Sequence, residues 1–93
     1  MPEEFMSVWD ALEDSPEAAA NMKARSSILS AVRQAVESWN VTQTEAARRL
    51  NITQPRLNDL LQGRISKFSL DALLNLATRA GLSVEWKIGV AAA

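Results

Sequence analysis

The chain has 93 residues, a hydrophobic share of 47% and a net charge of −1, values that suit a single domain with one modest core. It contains no cysteine and no histidine, which excludes thiolate nucleophiles, Ser-His-Asp triads, disulfides and the usual zinc sites. We therefore predict a protein that is not an enzyme and needs no cofactor or metal, and, because no stretch reaches membrane-spanning length, a cytoplasmic one.

The beginning of the chain is strongly acidic. Residues 1–17 carry six acidic side chains and no basic one, whereas residues 18–93 hold all ten basic side chains against five acidic ones. This division predicts an acidic N-terminal arm, residues 1–15, on a basic domain, residues 16–93, and it indicates two partners of opposite charge. A solvated tail on an ordinary domain explains the charge alone equally well.

The arm also carries apolar side chains. At spacings that a short helical turn can bring together stand Phe5, Met6, Val8, Trp9 and Leu12. Disordered tails seldom contain Trp and Phe without a use. Two alternatives follow: the arm folds back on the domain, or Phe5, Trp9 and Leu12 dock on another protein as an amphipathic segment.

A long amphipathic helix is predicted next. Ser15 supplies an N-cap, Pro16 suits the first helical position, and Glu17 meets the positive end of the helix dipole. From there to Trp39 no glycine or further proline interrupts the chain, and apolar residues recur at spacings typical of one helix face. We interpret this apolar stripe as core.

Two short helices joined by a tight turn follow. The segment Thr42-Gln43-Thr44-Glu45 has the form of a capping box, which opens the first of them. Asn51 stands where the chain must turn, because Asn tolerates left-handed backbone angles better than any residue except glycine. Either Thr53 or Gln54 caps the second helix, which ends at Gly63.

After a polar loop, a further helix is predicted from Ser69 to Gly81. Four apolar residues then alternate with polar ones: Leu82, Val84, Trp86 and Ile88. Strict alternation predicts a half-buried β-strand over residues 82–88. A strand needs a neighbour for its backbone, either in this chain or in a second subunit. No other segment has a strand pattern, so we expect these four side chains to form a homodimer interface.

The two short helices have the pattern of a DNA-reading helix-turn-helix. In such a motif the second helix lies in the major groove, and its first turns reach base edges. Gln54 can bond an adenine edge, Arg56 a guanine edge, and Asn58 an adenine edge or a phosphate. Five residues at the helix ends and in the following loop are expected to contact the DNA backbone: Thr42, Gln43, Thr53, Arg64 and Lys67.

The charge of this region supports DNA binding only weakly. From Thr42 to Lys67, five basic residues stand against two acidic ones, a net charge of +3 that is enough for a phosphate footprint. Solvated helix faces often carry as much. A helix-turn-helix that only builds a core, with its polar face in solvent, is therefore the alternative.

A resemblance to a known family covers roughly residues 5–84. It rests on the motifs TQ at 42–43, AA at 46–47, TQPR at 53–56, LLQGR at 60–64 and KFSLDAL at 67–73. With these motifs the chain resembles the lambda-repressor-like, XRE-type helix-turn-helix proteins and, within them, the HigA-type antitoxins. Asn51 departs from the motif, which most often has glycine there, but Asn can adopt the same backbone conformation.

The resemblance implies five helices, a dimer on a palindromic operator, and a repressor of its own toxin–antitoxin operon. It also implies binding and neutralisation of a RelE-like (HigB-like) ribonuclease toxin, for which Phe5, Trp9 and Leu12 of the acidic arm are the candidate contacts. We therefore predict an all-α, five-helix lambda-repressor-like domain with a short C-terminal β-strand that acts as an antitoxin. The alternatives are a free-standing XRE-type transcriptional regulator and a protein-interaction module that no longer reads DNA.

Overall fold

The computed structural model describes residues 15–90, which fold into four α-helices and one short 3-10 helix. In chain order these are α1 (Pro16–Trp39), α2 (Gln43–Leu50), α3 (Gln54–Leu61), the 3-10 helix (Ile65–Lys67) and α4 (Leu70–Arg79). Within the described range, no helix is both long and apolar enough to cross a bilayer.

The first of these elements, α1, is the long helix predicted from the sequence. It begins after Ser15, whose Oγ accepts a hydrogen bond from the backbone N–H of Ala18 at 3.0 Å, and Pro16 occupies its first position. It ends at Asn40, which has a left-handed φ of 53°. Because Asn is among the few residues that tolerate this conformation, the chain can leave the axis of α1 there and start α2.

The core lies between α1 and the helices that follow it, with α1 packed chiefly against α4. Six large side chains are almost completely buried: Val32, Leu50, Leu57, Leu60, Phe68 and Leu73. Each side chain of this kind contributes about 1.5 to 3 kcal/mol when it is removed from water. Since helices as short as α2 and α3 are not stable alone, this packing is what holds the two in place.

The end of α4 also follows the sequence prediction. Gly81 has a φ of 82°, its N–H donates to the Thr78 carbonyl at 3.1 Å, and the N–H of Leu82 donates to the Ala77 carbonyl at 2.9 Å. These two bonds satisfy carbonyls that the helix leaves unpaired at its end. A side chain at Gly81 would strain this conformation, so the backbone favours glycine there.

The predicted fold class is wrong in its helix count and in its strand, although an all-α helix-turn-helix arrangement fits. Residues 15–90 contain four α-helices rather than five, and no β-strand. The one additional helical turn in that range is the 3-10 helix, which spans a single turn. The resemblance supplied the number five, and the residue pattern itself had indicated only four full helices.

The predicted strand at residues 82–88 has no regular secondary structure. Leu82 and Val84 pack partly against the core, whereas Trp86 is 56% exposed and Ile88 is 93% exposed. Alternation of apolar and polar residues indicates which side chains can face the helices. A strand requires hydrogen-bonded pairing of its backbone as well, and the described residues contain no partner for it.

Candidate nucleic-acid interface

The turn between α2 and α3 is built by residues that the sequence had singled out. Thr42 caps α2, with its Oγ1 accepting from the backbone N–H of Glu45 at 3.2 Å. Asn51 has a φ of 54° and a ψ of 48°, the left-handed conformation predicted for it. The N–H of Ile52 then donates to the Ala47 carbonyl at 3.0 Å, and the half-buried Ile52 side chain packs against the core.

The choice between Thr53 and Gln54 as the cap of α3 is decided in favour of Thr53. Its Oγ1 accepts from the backbone N–H of Arg56 at 3.3 Å, so Gln54 is the first residue of the helix. At the other end Gly63 has a φ of 72°, and the N–H of Arg64 donates to the Asp59 carbonyl at 3.0 Å. Both ends of α3 are therefore fixed by local bonds.

Gln54 and Asn58, two of the three residues predicted to read bases, are exposed on α3. Gln54 lies at the start of the helix, and its Nε2 donates to Oγ1 of Thr44 on α2 at 2.9 Å. Asn58 lies one helical turn further along, on the same side of the helix. The opposite side of α3 carries Leu57 and Leu60, both fully buried, so the helix has one face in the core and one available to a partner.

Arg56, the third of these residues, is held by the protein itself. Its Nη1 donates to the carbonyl oxygen of Lys67 at 2.6 Å, and its Cζ lies 4.1 Å from the centroid of the Phe68 ring. The side chain is consequently half-buried rather than fully exposed. Sequence reasoning missed this contact because it joins residues far apart in the chain, and no local pattern indicates it.

Several basic side chains near the turn are already paired with carboxylates. Glu45 accepts from Arg48 at 2.6 and 2.8 Å and from Arg49 at 3.0 Å. These hydrogen bonds, first to Arg48 and then to Arg49, lower the pKa of the Glu45 carboxyl from its ordinary range to about 2. The same contact raises the pKa of Arg48. The exposed side of α2 therefore carries one ionised carboxylate shared by two guanidinium groups.

Two of the positive charges that no carboxylate offsets lie beside α3. Arg64 pairs with Asp59 at 3.0 Å, and Arg48 and Arg49 pair with Glu45. Among residues 42–67 of the described chain, Arg56 and Lys67 form no ion pair. Of the net charge of +3 inferred from the sequence, the charges of Arg56 and Lys67 lie beside α3, where a phosphate footprint needs them. The third charge remains on α2, where Arg48 and Arg49 share one carboxylate.

A buried arginine fixes the loop that carries Arg64 and Lys67. Arg25 on α1 is only 7% exposed, and its Nη1 donates to the carbonyls of Ile65 at 3.3 Å and Phe68 at 3.4 Å. Its Nε donates to Oδ1 of Asn21 at 2.6 Å. In the sequence, Arg25 is simply a basic residue off the apolar stripe of a helix, so its role was not found. The carbonyls of Ile65 and Phe68, to which it donates, are some forty residues away.

The remaining predicted contacts with the DNA backbone lie at helix ends. Thr42, Gln43 and Thr53 are exposed at the starts of α2 and α3. Arg64 is exposed just before the 3-10 helix, and Lys67 is its exposed last residue. The hydroxyls of Thr42 and Thr53 accept cap bonds and can still donate to a phosphate. The candidate toxin contacts Phe5, Trp9 and Leu12 lie outside the described residues, so that prediction stays untested.

Comparison with known proteins agrees with this geometry. A family model described as a helix-turn-helix domain matches residues 11–89, which is most of the chain and includes every described helix. No curated protein matches the chain.

Proposed function

Because the chain belongs to the helix-turn-helix domain family, we propose that it binds double-stranded DNA in a sequence-specific manner and regulates transcription. The observation that supports this function best is the two-sided character of α3. One side is fixed in the core by Leu57 and Leu60, and the other presents amide and guanidinium groups that match base edges. The major groove of B-DNA is wide enough to admit an α-helix.

Base recognition in this proposal belongs to the exposed face of α3. Gln54 and Asn58 supply amides of the kind that bond an adenine edge bidentately, and Arg56 supplies a guanidinium of the kind that bonds guanine. The hydrogen bond from Gln54 to Thr44 ties the start of α3 to α2. It therefore supports a fixed position for the reading face relative to the helix that crosses the DNA backbone.

Contacts with phosphates are proposed at three places. The N-terminus of α2 offers Thr42 and Gln43 together with backbone N–H groups that the helix leaves unpaired. Thr53 stands at the start of α3, Arg64 immediately precedes the 3-10 helix, and Lys67 is the last residue of that helix. These contacts set the register of the protein on DNA and contribute affinity without selecting a sequence.

A homodimer on a palindromic operator is proposed as the active form. Trp86 and Ile88 expose apolar surface in the C-terminal segment, and a second copy can cover it. Leu82 and Val84 are half-buried against their own core and can border such an interface. A two-fold dimer presents two α3 helices to two half-sites, which one helix-turn-helix with a modest charge needs for tight binding.

The finer function that we propose is that of an antitoxin that represses its own operon and neutralises a RelE-like ribonuclease. It rests on the resemblance to HigA-type proteins and on the five acidic residues of the arm, which complement a basic ribonuclease. Free-standing regulation by an XRE-type protein is the alternative, and the two differ in whether a toxin partner exists. A basic toxin that co-purifies with the chain would favour the first.

Selection of bound duplexes from a random pool tests the proposed DNA binding. The wild-type protein is expected to enrich a sequence with two related half-sites. A variant with Gln54→Ala and Asn58→Ala changes only exposed side chains and should therefore fold normally but lose the enrichment. Failure of the wild-type protein to enrich any sequence, at low salt and with a normal circular dichroism spectrum, would refute sequence-specific DNA binding.

A further inference from the structure

We infer that Phe68 and the Lys67 carbonyl position Arg56, so that one defined edge of its guanidinium reads a guanine. This inference rests on the proposed DNA binding and goes beyond it, because it makes Phe68 a determinant of sequence preference. Phe68 is 1% exposed and cannot reach a base itself. It would act only through Arg56.

The geometry around Arg56 leaves one edge of the guanidinium available. One donor, Nη1, is used by the Lys67 carbonyl at 2.6 Å, and Cζ lies over the Phe68 ring, 4.1 Å from its centroid. Among the described residues, Nε and Nη2 have no hydrogen-bond partner. These two nitrogens form an edge with two parallel N–H donors.

That edge matches one base in particular. Guanine presents two adjacent acceptors, O6 and N7, in the major groove, and a planar pair of N–H donors can bond both of them at once. A lysine cannot make this bidentate contact, because its ammonium group is a point charge without a fixed plane. Since Nη1 stays with the Lys67 carbonyl, reading the guanine requires no rearrangement of Arg56.

The platform under Arg56 is itself rigid. The backbone N–H of Phe68 donates to the Ile65 carbonyl at 3.1 Å, and the Phe68 carbonyl accepts from the buried Arg25 at 3.4 Å. The ring is packed in the core together with Leu57 and Leu60 of α3. The ring and the helix that bears Arg56 are therefore parts of the same core and cannot shift independently.

Because Arg56 is already held in place, it should increase the affinity for duplexes with the correct base only. An arginine that is already held loses less rotational freedom on binding than one that moves freely in solvent. Loss of a partly exposed cation–π contact corresponds to about a two- to fivefold loss of affinity. This factor applies to duplexes that Arg56 reads and not to duplexes in which the guanine is replaced.

The test is Phe68→Leu, measured on matched duplexes by fluorescence anisotropy. The position that Arg56 reads is first identified as the one whose base preference is abolished by Arg56→Lys. The probes are the duplex selected by the wild-type protein and the three duplexes that carry another base pair at that position. Phe68→Leu is expected to weaken the selected duplex about two- to fivefold and to leave the other three unchanged. In the Arg56→Lys background, the same substitution should have no further effect.

A purely structural role for Phe68 gives a different result. It weakens all four duplexes by the same factor, in both backgrounds, and that outcome overturns the inference. Leu76→Val is the matched control, because it alters a buried side chain of α4 that is not a partner of Arg56. It is expected to lower the melting temperature without changing the ratio of affinities among the duplexes.

Two further measurements keep the inference testable if Phe68→Leu fails to fold. In the free wild-type protein, the ring current of Phe68 should shift the side-chain proton resonances of Arg56 upfield. Arg56 resonances without an upfield shift overturn the inference. Failure of the wild-type protein to select any sequence refutes the proposed function instead. Selection without coupling between Phe68 and Arg56 refutes the positioning alone.

Discussion

Replacing Arg25 by methionine should destabilise the protein more than any other change of a charged side chain on α1. The substitution keeps most of the aliphatic volume but removes the donors to Asn21, Ile65 and Phe68. It leaves the Phe68 carbonyl with one fewer partner at a position that water reaches poorly, because Arg25 itself is only 7% exposed. A buried polar group that loses its partner costs free energy, whereas a buried apolar side chain does not.

The magnitude follows from the three hydrogen bonds. Bonds from a charged donor contribute about 1.5 to 3 kcal/mol each when they are short, and only the bond to Asn21, at 2.6 Å, is short. The bonds to Ile65 and Phe68, at 3.3 and 3.4 Å, are long and contribute less. We therefore expect a loss of about 2 to 4 kcal/mol, which lowers Tm by about 8 to 30 °C in a domain of this size.

Urea denaturation followed by circular dichroism measures this loss, and Arg33→Met is the matched control. Arg33 lies on the same helix and is half-buried, but its Nε is buried without a hydrogen-bond partner. Its replacement should therefore change the free energy of unfolding by less than about 0.5 kcal/mol or even raise it. Equal losses from the two substitutions would refute the reasoning, because the hydrogen bonds of Arg25 would then not be the cause.

Four further predictions concern the turn and the proposed partners. Asn51→Val should cost about 1 to 3 kcal/mol in urea unfolding, while Asn51→Gly stays within about 0.5 kcal/mol; equal costs would contradict strain at the left-handed φ of 54°. Lys67→Ala should weaken all duplexes alike and flatten the salt dependence of log K by up to about one unit, whereas a change in base preference would contradict a phosphate contact. Trp86→Lys should give monomers in light scattering at micromolar concentration, and a persistent dimer would place the interface elsewhere. Deletion of residues 1–14 should spare operator binding and weaken a basic toxin partner in calorimetry; unchanged toxin affinity would remove the arm from that role.

The features that sequence reasoning predicted well are local ones. The caps at Ser15, Thr42 and Ser69 and the left-handed turn at Asn51 depend on side chains that bond their own or neighbouring backbone groups. Such contacts join residues no more than four positions apart in the sequence, so a pattern of residue types is enough to predict them. The same holds for Gly63, whose φ of 72° ends α3.

The features that it missed join distant parts of the chain. Arg25 and Arg56 both donate to carbonyls of residues 65–68, and neither residue has a neighbour in sequence that indicates this contact. The predicted strand failed for a related reason. The alternation at residues 82–88 is a property of the segment alone, whereas a strand depends on a second segment that residues 15–90 do not provide.

The carboxylate of Glu45, which bridges two arginines, affects how the stability of the protein depends on pH. Because its pKa is lowered to about 2, its contribution to stability is complete above the ordinary range of a glutamate and is lost progressively as the pH falls from that range through about 2. Histidine is the one side chain whose ordinary pKa lies between 5 and 8, and the chain has none. A histidine switch, the usual sensor of moderate acidification, is therefore absent from the sequence. If the stability of a complex with DNA or a toxin changes between pH 5.5 and 7.5, any histidine responsible for the change must lie on the partner.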